Sequence, residues 1–157
     1  MVLGATPLAC ASGDYYEEGR ETFCDGLCEG FQRCGLTDSG CASRCLDAYH
    51  PRGIRGSSLG AVGDCLRDAN CDALGDETAS DACFDQVAKS ERLRPELVSY
   101  CESASLNDFR CNIFWSVEEC SDHMGLWEDA VLERAQACHQ NDCSTLQSCE
   151  KAVFDAP

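Results

Sequence analysis

The chain has 157 residues, 15 of them cysteine, and sets 28 acidic against 12 basic side chains for a formal charge of −16. Such a charge repels phosphate backbones and disfavours nucleic acid as a partner, while it suits cationic partners, divalent ions or plain solubility. Apolar runs fall short of the roughly 18 residues that a membrane span needs, and a cysteine density just under a tenth marks a disulfide scaffold of an oxidising compartment, extracellular or cell envelope.

Taken in chain order, residues 1–13 read as a leader or tether. Met1 to Cys10 has no basic start and is too short for a complete signal peptide. Leu3 to Cys10 resembles the end of a bacterial lipoprotein signal. Ala9-Cys10 matches the small residue and lipidated cysteine of that box, and Pro7 stands where leucine is usual. The resemblance implies a lipid on Cys10, which would be the chain's one link to a membrane.

Helical signals dominate from there on. Residues 14–34 carry Phe23, Leu27 and Phe31 at helical spacing and stop at Gly35. Residues 39–49 form a second helix, ended before Pro51. Ser57 or Ser58 caps a third, with Leu59, Val62, Cys65, Leu66 and Ala69 inward, and a fourth covers about 79–90. Pro95 opens a fifth running to about 110. Ser116 with Glu119 forms a capping-box pattern for the sixth. Helices over 125–138 and 144–154 complete the set, the last with Ser144 and Gln147 in the same pattern.

The cysteines fall into two sets in register. Cys24, Cys34, Cys45, Cys65, Cys71 and Cys83 align in order with Cys101, Cys111, Cys120, Cys138, Cys143 and Cys149; both sets open with C-x9-C behind an aromatic residue, Phe23 or Tyr100. The first set adds Cys28 and Cys41, whose counterparts in the second are Ser105 and Ser116. Joint loss of two cysteines is what a bonded pair leaves behind, so Cys28–Cys41 is inferred as a bridge. Residues four apart share a helix face, and opposed positions of an antiparallel hairpin keep a constant residue-number sum. Cys24–Cys45 obeys the same sum as Cys28–Cys41, and Cys101–Cys120 the same sum as Ser105 with Ser116. Cys34 and Cys111 face away from these rungs and staple the first hairpin of each module to the second. Three connectivities remain per module. The preferred ones are Cys34–Cys71 with Cys65–Cys83, and by analogy Cys111–Cys143 with Cys138–Cys149. Cys10 is left over.

The C-x3-C…C-x3-C stretch at 24–45 resembles the α-hairpinin scaffold, a two-helix hairpin under nested disulfides. That family includes protease inhibitors, antimicrobial peptides and storage-protein fragments, so the resemblance implies a fold and no single activity.

Chemistry is sparse. Close C-x2-C pairs of zinc ribbons are missing. Exported copper-storage bundles are similar in being helical with C-x3-C pairs, which makes Cu(I) an alternative to disulfides. Asp68, Asn70 and Asp72 echo the start of a calcium loop, but Ala73 and Ala79 occupy positions that need Gly and Glu. The three histidines, His50, His123 and His139, have no nucleophile-elbow serine, and neither cofactor nor metal is expected. His139 and Asp142 read as polarising a helix end and a turn. Trp115 and Trp127 read as packing residues before ligand platforms. The segment from His50 to Gly56 offers Arg52, Ile54 and Arg55 as an exposed binding loop; the second copy replaces it with a shorter stretch around Met124-Gly125-Leu126-Trp127.

The expected fold is therefore all-α: disulfide-rich tandem helical hairpins in two related four-helix modules, 14–90 and 91–157, joined near Lys89–Arg94. The expected function is a non-enzymatic, secreted or surface-tethered structural or interaction protein, acting through a protein partner or self-assembly. A hairpin-type protease inhibitor or toxin-like effector is the alternative, and a Cu(I)-storage bundle the third. The acidic, cysteine-rich style with its lipobox-like leader resembles secreted bacterial lipoproteins.

Overall fold

The segments with helical periodicity form helices in the computed structural model, which describes residues 12–76, 78–111 and 116–156, except that the one expected over 125–138 starts at Asp129 because residues 125–128 turn and pair with the chain at Ile54. Cys10 and Trp115 lie outside them. In order the helices are α1 (Ser12–Arg33), α2 (Cys41–Ala48), α3 (Gly56–Asp68), α4 (Cys71–Gly75), α5 (Thr78–Glu91), α6 (Pro95–Cys111), α7 (Val117–Met124), α8 (Asp129–Cys138) and α9 (Cys143–Phe154). None of the described helices is long and apolar enough to cross a membrane. The fold is all-α and disulfide-rich.

Seven bridges staple these helices: Cys24–Cys45, Cys28–Cys41, Cys34–Cys71, Cys65–Cys83, Cys101–Cys120, Cys111–Cys143 and Cys138–Cys149. Each contributes about 2–4 kcal/mol by restricting the unfolded chain. The first two form the nested rungs of the α1–α2 hairpin. Ser116 is more than a vacant rung: its hydroxyl accepts from Glu119 N at 3.1 Å, and Glu119 answers at Ser116 N at 2.9 Å, which makes it the N-cap of α7.

Local caps correct three expectations. α3 starts at Gly56 with Arg55 as N-cap, so Ser57 and Ser58 lie inside its first turn and Ser58 is fully buried. Asn70, part of the apparent calcium loop, accepts from Ala73 N at 2.8 Å and caps α4, a short helix outside the expected elements, which resume at about 79. Asp142, rather than Ser144, caps α9 by accepting from the backbone of Ser144 and Thr145. These bonds hold its carboxyl below the usual range, the Ser144 side chain contributing most.

Packing differs from a simple stack of hairpins. The main contact of the first half is between α1 and α3, which run parallel: Gly19 faces Gly56, Gly26 faces Gly63, and Gly30 faces Leu66. A Cβ on Gly26 would lie 2.0 Å from the Gly63 carbonyl oxygen, so the two backbones touch directly. Around this seam Phe23, Leu59, Val62, Leu66, Leu74 and Val87 form one buried cluster, while Leu97, Tyr100, Ala104, Leu132 and Ala135 form a second under α6, α7 and α8.

In the cysteine register Gly26, Gly30 and Leu66 correspond to Ser103, Asn107 and His139. Where the first half brings backbones together, the second fills the space with polar side chains. Asn107 and His139 are only 8% and 5% exposed.

Candidate functional site

The connectors expected to be equivalent, 49–55 and 125–128, meet each other. Pro51 ends the approach from α2, and Gly53 turns the chain with φ +69°, a left-handed conformation that glycine adopts without strain. Ile54 then forms an antiparallel bridge with Trp127, flanked by Arg55 N to Leu126 O at 2.9 Å and Glu128 N to Gly53 O at 2.7 Å. Trp127 lies so close over Gly53 that a Cβ there would come within 2.9 Å of its ring. On the far side Gly125 meets the Ala88 backbone, where a Cβ would lie 2.3 Å from the carbonyl oxygen.

Three arginines lock this joint. Arg55 pairs with Glu91 at 2.8 Å. Arg94 donates to the Gly125 and Trp127 carbonyls at 3.0 and 2.9 Å and pairs with Asp129. Its side chain is 13% exposed, and burial pushes its pKa down while the carboxylates of Asp129 and Glu91 oppose that shift. Arg20 holds the outgoing end of α2, donating to Leu46 O at 2.7 Å and to His50 Nδ1 at 3.0 Å. Tyr16 OH donates to Pro51 O at 2.5 Å, and burial raises its pKa.

Beside the joint opens a cleft of about 420 Å³. Tyr16 of α1 and His50, Pro51, Arg52 and Gly53 form one wall. Trp127, Glu128, Val131 and Arg134 form the second, and Val153, Phe154 and Ala156 close it. The Trp127 and Phe154 rings sit 4.7 Å apart at 60° and floor it. Tyr16 turns its hydroxyl to Pro51, and His50 has both ring nitrogens engaged, by Arg20 and by the Asp47 carbonyl at 3.2 Å.

Of the expected binding loop, only Arg52 projects to solvent. Ile54 is half-buried in the bridge and Arg55 is spent on Glu91, because the loop is part of the joint and not a free tip. Trp127 packs in the joint and also faces the cleft. Arg134, Val153 and Phe154 had no distinguishing sequence signal; they reach the cleft only through the way the two halves meet.

A second constellation lies in the second half. His139 sits between Ser103, whose Oγ is 2.8 Å from Nδ1, and Glu150, whose Oε1 is 2.9 Å from Nε2. Tyr100 OH donates to the same carboxylate oxygen at 3.0 Å. Ser103 and His139 border a groove with Leu106, Asn107, Glu133 and Gln140. His139 stands at the helix end expected of it, as the C-cap residue of α8, and it is buried because it takes the place that Leu66 has in the first half.

Among the described residues no group of three or more His, Cys, Asp or Glu side chains is arranged to hold a metal ion. The chain matches no protein-family model, no curated protein and no solved structure.

Proposed function

We propose that this is an exported, non-enzymatic interaction protein whose disulfide-stapled helices hold a binding cleft at the junction of two related halves. The observation that carries the reading is the cleft itself, where Arg52 and Arg134 stand without hydrogen bond or ion pair in a chain of charge −16. A merely structural scaffold gains nothing from holding two unpaired guanidiniums on one apolar-floored recess. Seven disulfides support an oxidising compartment, and the Ala9-Cys10 pair supports a lipid tether at the cell envelope. The inhibitor or effector reading asks for a free hairpin, whereas α1 is buried along α3. Cu(I) storage asks for thiolates, whereas cysteines 24–149 are oxidised in pairs.

The test is a pull-down from native envelope with oxidised protein, reduced and alkylated protein, and an R52E/R134E variant. Selective retention of a component by the oxidised wild type alone is expected. Equal retention by all three would refute binding through the folded cleft.

One observation favours a second reading, hydrolysis by Ser103 with His139 and Glu150. Against it, Ser103 lies within α6, whose neighbouring N–H groups are committed to the helix and leave no backbone donors for an oxyanion. A fluorophosphonate probe decides: no adduct is expected, and labelling abolished by S103A would make the protein an enzyme.

A further inference from the structure

We propose that the cleft binds a small apolar monocarboxylate, its head between Arg52 and Arg134 and its body on the Trp127 and Phe154 rings. The inference rests on the interaction-protein reading and names the ligand class for the same site.

The disposition of the cations carries it furthest. Among the described side chains, Arg20, Arg44, Arg55, Arg67, Arg92, Arg94 and Lys151 are each ion-paired, as expected where carboxylates outnumber cations so heavily. Arg33 is bound to the Arg67 and Ala69 carbonyls. Among the described basic side chains only Arg52, Lys89 and Arg134 have no hydrogen bond or ion pair, and two of the three line one recess. Two like charges sharing a recess repel each other, and a bound anion relieves that repulsion while guanidinium geometry favours a carboxylate.

Remaining features narrow the anion. His50 and Tyr16 have committed their polar atoms, so the free charged donors are the two guanidiniums. Glu128 also lines the cleft, and with the overall charge of −16 it penalises a multiply charged anion more than a single one. The aromatic floor with Val131 and Val153 needs an apolar body to cover it. A volume of about 420 Å³ lies within the usual range for small-molecule sites and suits one ring or a short chain. Both walls are held: Arg52 adjoins the Gly53–Glu128 hydrogen bond, and α8 and α9 are tied by Cys138–Cys149. Preorganisation of this kind lowers the ordering cost of binding.

The experiment is an NMR titration of the oxidised full chain at low salt with phenylacetate, octanoate, phenylacetamide and inorganic phosphate. Saturable shifts at the Trp127 indole N–H, Val153 and the arginine side chains are expected with the two acids and not with the amide or phosphate. R52Q and R134Q should each weaken phenylacetate about fivefold or more, and E128Q should strengthen it about threefold. Neither arginine has a partner to lose, so the variants should keep the wild-type spectrum outside the cleft. Equal binding of acid and amide, preference for phosphate, or no shift at the cleft with either acid would overturn the proposal. If the acids fail while the envelope pull-down still needs the folded protein, only the ligand class falls; if the acids bind and the pull-down is empty, the macromolecular partner falls.

Discussion

Replacing Gly26 by alanine tests whether the α1–α3 contact organises the first half. The new Cβ would lie 2.0 Å from the Gly63 carbonyl oxygen and 2.4 Å from its carbon, against 3.4 Å for ordinary contact. The obstacle is helix backbone, which cannot rotate away, so the helices must part by about 1 Å or more where Leu59, Val62 and Leu66 are at most 1% exposed. Overpacking typically costs about 1–3 kcal/mol, and a backbone obstacle puts this site at or above the top of that range. The better helix propensity of alanine returns about 1 kcal/mol, leaving a net loss of roughly 2–3 kcal/mol. Gly60 is the internal control. It lies on α3 at the same interface, yet its Cβ would make only ordinary contacts, with the Thr22 side chain at 3.7 Å and the Gly19 Cα at 4.0 Å, so G60A should be neutral or stabilising by up to about 1 kcal/mol. Urea unfolding of the oxidised proteins, followed by far-ultraviolet circular dichroism, measures both. Free energies for G26A and G60A within about 0.5 kcal/mol of each other would refute direct backbone packing.

Three further outcomes are expected. Thiol titration under denaturant without reductant should find at most about one free thiol among the 15 cysteines, Cys10 where it carries no lipid, and reduction should unfold the chain, as circular dichroism would show. D142N should destabilise α9 at neutral pH. Because the folded pKa of Asp142 is depressed below its ordinary 3.8, the wild-type advantage is present above that value and is lost as the pH falls through the folded pKa, which denaturation curves at stepped pH would resolve. H139L should cost about 1–3 kcal/mol by leaving Ser103 and Glu150 without their shared partner, and S103A should cost less in that background than in the wild type, a coupling that a double-mutant cycle measures.

Legibility followed the range of the physics involved. A disulfide joins residues whose spacing must fit helix geometry, so Cys24, Cys28, Cys41 and Cys45 declared their rungs, and the loss of cysteine at 105 and 116 declared which pair goes together. Stops such as Pro51 and caps such as Ser116 act within a turn and were equally open to reading. What stayed hidden depends on contacts between distant segments. Glycines 19, 26, 56 and 63 look like helix weakeners until the two helices are seen to run parallel and touch. Arg55 and Arg52 look alike in a loop, and only the approach of Glu91 tells the paired one from the free one.

The two halves solve one packing problem in two ways, and the difference bears on where function can reside. In the first half glycines bring the α1 and α3 backbones into contact, and the side chains around that seam, Phe23, Leu59, Val62 and Leu66, are apolar, so that interface is committed to stability. In the second half Ser103, Asn107 and His139 occupy the corresponding space, and their polar groups bond to Glu150 or to one another, which again consumes them. Apart from the buried Ser58 hydroxyl, which has no partner, these interiors hold little polar capacity to spare. The junction differs because two connectors of unequal length pair there through only the Ile54–Trp127 bridge, leaving room beside it. Arg52 comes from one connector and Arg134 from the helix after the other, so neither half alone contains the recess. A binding function at this place depends on the halves being joined, and mutations such as G53A or G125A, which crowd the Trp127 ring or the Ala88 backbone, should abolish binding while leaving every disulfide intact.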